Sequence, residues 1–365
     1  MKQNTIVFFC VGTGGHVLPV INLIDDLHQR GIEKRKIEVV TDKRGSQYFK
    51  DRDIDVHSID VYRSKRGMVG YMLNILKIIK SIRLIEKKID LKNCGILFTT
   101  GSYIAPLAGY LSWRHKIKFF IQEQNIYAGL GNKIASYFKS DKFTSYPNTI
   151  NINQTNLYNT GPIVDKKIQN NKSINNKEIT IGVQGGSQGS EEINSLIYKY
   201  LGNNTLKNIK IIHIVGPNNF DNSKKFENYK QVEFIKDMTD FYSSIDLQVS
   251  RAGGGVLEAV LINIPLLLIP YKHGTTSTHQ SMNAEYLVKS KFAKLCTNYK
   301  SLEYEFRKLE QLDKSLFEEF SKNNVIKIGN DFIVNKIIDE IDTVSYTHLR
   351  AHETKANLVC RLLLE

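Results

Sequence analysis

Apolar positions in this chain fall into short continuous runs separated by stretches of helical spacing. Thr5–Val11 is an apolar run of strand length, and Val17–Gln29 then sets Val20, Leu23, Ile24 and Leu27 on one helical face before Gly31. Ile37–Thr41, Gly95–Thr99, Ile117–Gln122 and Lys142–Ser145 read as further strands, with helical stretches between most of them. Such βα alternation predicts a parallel, doubly wound sheet.

Asp165–Glu178 is polar and rich in Asn and Lys, and reads as part of a linker over residues 163–178. Beyond it the opening pattern recurs. Ile179–Val183 is a strand, Gly185–Gly189 a Gly-rich turn and Ile193–Leu201 a helix, and strands follow at Ile209–Val215, Val232–Ile235, Leu247–Ser250 and Leu266–Ile269. The expected fold class is therefore α/β: two Rossmann-like domains, residues 1–162 and 179–344, facing a cleft that is the default ligand site. Asp331–Ile341 reads as the terminal helix. Residues 345–365 break the pattern and read as a non-native tail.

Composition narrows the class. The 365 residues suit two domains, and 41% hydrophobic with 24% charged residues is ordinary globular usage. Four cysteines without a CxxC pair point to a reducing, cytosolic compartment; no apolar stretch is long enough to span a bilayer, and the N-terminus does not read as a signal peptide. The net charge of +13 is uneven. Residues 1–162 carry +11 and residues 163–365 only +2, which suggests an anionic partner for the first half.

Three glycine-rich stretches carry the candidate chemistry. Gly12-Thr13-Gly14-Gly15-His16 ends the first strand and opens the first helix, where free amides and the helix dipole favour an anion or a sugar. His16 there is placed to take a proton from an attacking hydroxyl, and a structural histidine is the bland alternative. Gly185–Gly189, with Ser187 among the free amides, fills the equivalent turn of the second half. In Ser250–Glu258 a strand ends, Gly253, Gly254 and Gly255 open a helix, and Glu258 sits one turn inside, an arrangement suited to a diphosphate and two ribose hydroxyls. Gln280 and Asn283 share one helical face and offer amides to sugar hydroxyls.

At these residues the chain resembles the MurG family of UDP-N-acetylglucosamine transferases of bacterial peptidoglycan synthesis. GGTGGH corresponds to Gly12–His16, GGSQGxxxxN runs from Gly185 to Asn194, and SRAG…E and QxxNA are met at Ser250–Glu258 and Gln280–Ala284. Gln122–Asn125 with Ala128–Leu130, Asn132 and Lys133 is similar to HEQN…AGLxNK, and Gly101-Ser102-Tyr103 to a GGY turn. The resemblance implies a GT-B fold and an inverting transfer of N-acetylglucosamine from UDP to the 4-hydroxyl of the muramoyl sugar on an undecaprenyl-diphosphate carrier, lipid I. It implies no metal or other cofactor, and a peripheral place on the cytoplasmic face of the inner membrane.

By position, the resemblance puts Ser187, Asn194, Ile235, Arg251, Gly254, Gly255, Glu258, Gln280 and Asn283 on the donor side. Thr13, Gly14, Gly15, His16, Tyr103 and Asn125 would lie on the side of the reacting sugars, with His16 as base and Glu123 as the competing candidate. Three departures stand out. Val164 replaces an arginine, the interval from Arg251 to Glu258 is one residue shorter, and Gln122 replaces a histidine.

Segment 61–92 sets nine Lys/Arg against Glu86 and Asp90 and interleaves them with Met, Tyr, Ile and Leu. It reads as a basic amphipathic stretch for an anionic membrane surface, or as an ordinary surface helix. Two rivals remain: another UDP-sugar enzyme of the same fold, such as one acting on diacylglycerol, and a non-catalytic basic protein binding membrane or nucleic acid. The ordered motifs favour the transferase and no nucleic-acid partner, and a dinucleotide oxidoreductase lacks its regular GxGxxG.

Overall fold

The computed structural model describes residues 5–59, 68–168, 178–235, 237–271, 276–313, 315–320 and 326–343. Two parallel sheets organise the chain. The first contains β1 (Thr5–Phe9), β2 (Ile37–Thr41), β3 (Asp55–Ser58), β4 (Cys94–Thr99), β5 (Lys118–Glu123), β6 (Asp141–Thr144) and β7 (Leu157–Asn159), in the order 3-2-1-4-5-6-7. The second contains β8 (Ile179–Gln184), β9 (Ile209–Ile214), β10 (Tyr229–Val232), β11 (Leu247–Ser250), β12 (Leu266–Leu268) and β13 (Ala293–Leu295), in the order 10-9-8-11-12-13. Both orders reverse beside the strand that opens the sheet, so each domain has a switch point at the carboxyl end of that strand. The fold is that of the GT-B glycosyltransferases.

Every residue of β1, β2 and β4 is buried, because helices cover both faces. On one face of the first sheet, Ile6, Phe8 and Phe98 pack against Val20, Leu23 and Leu27 of α1 (Gly14–Gln29). On the other, Val7, Phe9 and Leu97 pack with Ile85 of α2 (Met68–Lys88) and Leu107 and Leu111 of α3 (Ala105–His115). α4 (Leu130–Ala135) lies against α3. In the second half α5 (Glu191–Asn203), α6 (Met238–Ser244), α7 (Val256–Leu261), α8 (Thr276–Lys289), α9 (Tyr299–Glu310) and α10 (Ser315–Phe320) surround the second sheet.

Two expectations change. β10 lies three residues earlier than the expected Val232–Ile235, so Ile235 follows the strand, half-buried against the second core. The helix over residues 330–343, assigned above to the second domain, belongs by packing to the first: Ile333, Val334, Ile337 and Ile341 bury against its core. That return is fixed at its start. Asn330, fully buried, donates to the Asp26 carboxylate at 2.6 Å and to the Val164 carbonyl at 2.9 Å, and accepts from the Val164 N–H at 3.0 Å. Most of the linker stretch, residues 60–67 of the basic segment and the tail at 345–365 lie outside the described residues.

Candidate active site

Strand β1 ends in a turn at Gly12, whose φ of +96° a residue with a side chain rarely adopts. Its N–H donates to Asp42 at the end of β2 (3.1 Å), and the same carboxylate accepts from the Gly45 N–H at 2.8 Å and the Tyr103 hydroxyl at 3.0 Å. Burial opposes ionisation of Asp42, but these three donors and Arg44 outweigh it and hold the carboxyl below its usual range. Burial and the Asp42 charge push the Tyr103 phenol up to about 12. Thr13 caps α1 without a side-chain hydrogen bond, Gly14 is buried under Leu18 and Tyr48, and Gly15 is open to solvent.

His16 is held at both ends by Thr100, which follows β4. The His16 Nδ1 lies 2.8 Å from the Thr100 carbonyl, and the Thr100 hydroxyl donates to the His16 carbonyl at 2.7 Å. A carbonyl only accepts, so Nδ1 carries the proton and the neutral ring keeps its lone pair on Nε2. That is the form a general base requires.

Glu123, at the end of β5, is fully engaged as an acceptor. One carboxylate oxygen takes the Asn125 N–H and side-chain amide, both at 2.9 Å; the other takes the Asn132 amide at 2.9 Å and the Gly129 N–H at 3.2 Å. Gln122, in place of the family histidine, is buried and donates to Ser145 at 3.0 Å. Beyond Glu123 the chain crosses to the second domain. Gln124 donates to the Gly15 carbonyl, and its amide oxygen lies against Gly254, where a Cβ would come within 2.5 Å of it. The two glycine-rich helix starts thus meet across one glutamine.

The turn after β8 presents Ser187 half-exposed, with positive φ at Gly186 and Gly189. Asn194 lies beneath it. Its amide donates to the Val215 carbonyl at 3.1 Å and accepts from His213 Nε2 at 3.0 Å, while His213 Nδ1 accepts from the Tyr229 hydroxyl at 3.0 Å. Burial pulls the His213 imidazole down to about 3, so this chain is neutral. Asn194, expected on the donor, is therefore engaged below the loop that would hold it.

Arg251, also expected there, has its guanidinium taken up by Glu192 (2.8 Å), the Ile269 carbonyl (2.9 Å) and Ser190 (2.7 Å). It ties the end of β11 to the start of α5. Gly255 is exposed at the start of α7, and Glu258 stands in that helix's first turn. The Tyr242 hydroxyl donates to one Glu258 oxygen at 2.9 Å. Burial pushes the Glu258 carboxyl up to about 7; the Tyr242 bond works against this rise and Asp165 adds to it. On α8, Gln280 accepts from the Tyr271 N–H at 2.9 Å, while Asn283 and Asn125 bond to each other across the domains at 3.0 Å. Val164, where the family has arginine, is buried and supplies no charge.

Sequence reasoning missed Asp42, Gln124, Tyr242 and His213 as parts of this site. Asp42 had one signal, a carboxylate at the carboxyl end of a strand beside the switch point. Tyr242 and His213 had none, since their partners are distant in the chain.

Residues 6–143 match the glycosyltransferase family 28 N-terminal domain, and residues 180–340 match the glycosyltransferase family 28 C-terminal domain. Among curated proteins, the chain is 27% identical over 355 residues to UDP-N-acetylglucosamine--N-acetylmuramyl-(pentapeptide) pyrophosphoryl-undecaprenol N-acetylglucosamine transferase 3 of Bacillus cereus, covering 94% of this chain and 99% of that one. A transferase of the same description from Thermosipho africanus is 29% identical over 281 residues, 76% and 82% of the two chains. The crystal structure of Acinetobacter baumannii MurG superposes with a TM-score of 0.68 at 22% identity, covering 92% of this chain and 99% of that chain. With both domain types in order over most of its length, the chain belongs to glycosyltransferase family 28.

Proposed function

We propose that the protein transfers N-acetylglucosamine from UDP-N-acetylglucosamine to the 4-hydroxyl of the muramoyl sugar of undecaprenyl-diphosphate-linked lipid I, with inversion, giving lipid II. The observation that carries this reading is the meeting of the two glycine-rich helix starts across Gln124, with His16 on one side and Glu258 on the other. The names of the curated relatives, which match nearly end to end, supply the substrate pair. Donor binding falls to the second domain: backbone amides around Ser187 and Gly253–Gly255 face the diphosphate, Glu258 accepts from the ribose, and Gln280 meets the sugar. His16 takes the acceptor proton on Nε2 as the hydroxyl attacks the anomeric carbon and UDP departs from the opposite face. Glu123 braces the loop between the domains, since its four donors leave it committed there.

The acceptor carries a polyprenyl tail, so the first domain must work at a bilayer surface. Its α2 exposes Ile78, Ile79 and Leu84 among the exposed Lys80, Arg83 and Lys87. Beside it, Trp113 of α3, Leu130 and Ile134 of α4, and Tyr137 just beyond α4 are exposed as well. Exposed apolar side chains interleaved with cations along α2 suit peripheral attachment to anionic lipid, and among the described residues no helix is long and apolar enough to cross a membrane. The test is product analysis with purified enzyme, UDP-N-acetylglucosamine and a lipid I analogue. Formation of the β-1,4-linked disaccharide supports the reading. Hydrolysis of the donor alone, or transfer to diacylglycerol in preference, overturns it.

A further inference from the structure

The Glu258 carboxylate takes a hydrogen bond from outside its own helix. Tyr242 lies on α6, fully buried in the second domain's core, and its hydroxyl donates to one Glu258 oxygen at 2.9 Å. The same hydroxyl lies 3.3 Å from the Gly255 carbonyl. It therefore meets the first turn of α7 at both ends, at the last glycine and at the carboxylate. Burial, reinforced by the Glu258 charge, pushes the phenol well above its ordinary range, so the hydroxyl remains a donor around neutral pH. The side chain of Gln184, which ends β8 just before the 185–189 turn, interacts with that hydroxyl as well. α6 is itself fixed at its start, where Asp237 accepts the Thr239 N–H at 2.8 Å. One buried tyrosine thus stands between the end of β8, the glycines before α7 and Glu258.

We infer that Tyr242 is a positioning residue for the donor: by holding one Glu258 oxygen it aims the other at the ribose, and it thereby sets the preference for a ribonucleotide sugar over its 2′-deoxy counterpart. The inference rests on the proposed donor role of Glu258 and adds how that carboxylate is oriented. A glutamate side chain has several rotatable bonds, whereas a ribose hydroxyl is met in one orientation. Fixing one oxygen beforehand removes that ordering from the cost of binding. An anchor outside the loop matters in this chain, because the interval from Arg251 to Glu258 is one residue shorter than the family pattern. The other charged group acting on Glu258 is Asp165, which opposes ionisation while the Tyr242 bond favours it.

The test uses Tyr242→Phe, which keeps the ring in the core and removes only the hydroxyl, beside Glu258→Gln and the double variant. Calorimetry at pH 8 compares UDP-N-acetylglucosamine with its 2′-deoxyuridine analogue. Wild type should favour the ribose form by about tenfold or more, as expected of a hydrogen bond to a charged group. Tyr242→Phe should cut that preference to about threefold or less. In the Glu258→Gln background the same change should alter the preference no further, since both residues act through one contact. Carbon-13 spectra of glutamate-labelled protein without ligand follow Glu258 directly. There Tyr242→Phe should move the titration upward by about half a pH unit or more, because the lost bond favoured the ionised form. A tyrosine with only a packing role would weaken both donors alike and leave the titration in place, and either result overturns the inference. A ribose preference that Tyr242→Phe leaves untouched sinks the inference alone. If wild type binds both donors equally, or neither, the donor role proposed for Glu258 fails and the inference falls with it.

Discussion

With Glu258 accepting from the ribose as proposed, donor affinity should depend on pH. Burial lifts the Glu258 carboxyl to about 7, and the Tyr242 hydroxyl already occupies one of its oxygens. Ribose hydroxyls donate best to the ionised form, so affinity should rise as pH rises through that value. A group with a pKa near 7 is about one-tenth ionised at pH 6 and about nine-tenths at pH 8, which predicts a fall in Kd of about tenfold across that interval. Each phosphate of UDP-N-acetylglucosamine carries one ester and the shared anhydride, and neither titrates in that range, so the dependence belongs to the protein. Calorimetry at pH 6, 7 and 8 measures it, and Glu258→Gln should give weak affinity with no slope. At pH 8, Glu258→Ala should cost about 1.5–3 kcal/mol in UDP binding. The linkage runs the other way for folding. A carboxyl raised in the native state holds an extra proton between the ordinary carboxyl range and pH 7, so its contribution to stability declines as pH rises through that window. A wild-type Kd equal at pH 6 and pH 8, or a slope that persists in Glu258→Gln, would refute the reasoning.

Other perturbations read different parts of the molecule. His16→Ala should lower kcat by about 10²-fold or more with UDP binding nearly intact; a variant keeping over about a tenth of wild-type kcat removes His16 from the mechanism. Reversing Lys80, Arg83 and Lys87 to Glu should reduce sedimentation with anionic vesicles, most at low salt, and equal salt-independent binding to neutral vesicles counts against an electrostatic contact. Gly161→Ala, at φ +87° with a new methyl carbon 1.7 Å from the Lys327 carbonyl oxygen, should lower the melting temperature by about 5 °C or more, read by differential scanning calorimetry.

The apolar runs were enough to reveal two parallel α/β halves, because a strand covered on both faces must be apolar along its length and this mark is local. β1, β2, β8 and β11 lie where those runs predict them. The short edge strands β3, β7 and β13 carry no such mark, since they are exposed or only three residues long. The glycine motifs were equally legible: positive φ at Gly12, Gly186 and Gly189 is a demand of the backbone itself.

What each polar residue near those turns does was decided only in three dimensions. Arg251, Asn194 and Asn283 are chemically suited to a phosphate or a sugar, and their spacing from the glycines invites that reading. Folding set Ser190 and Glu192 beside Arg251, His213 and Val215 beside Asn194, and Asn125 and Ile126 beside Asn283, partners that the spacing does not reveal. The same holds for helix 330–343, whose apolar stripe says that it must be buried but not against which domain. Hydrophobic periodicity is a property of consecutive residues and survives in the sequence. Hydrogen-bond partners 19 to 166 residues apart, as for His213 with Asn194 and Asn330 with Val164, exist only once the chain has closed upon itself.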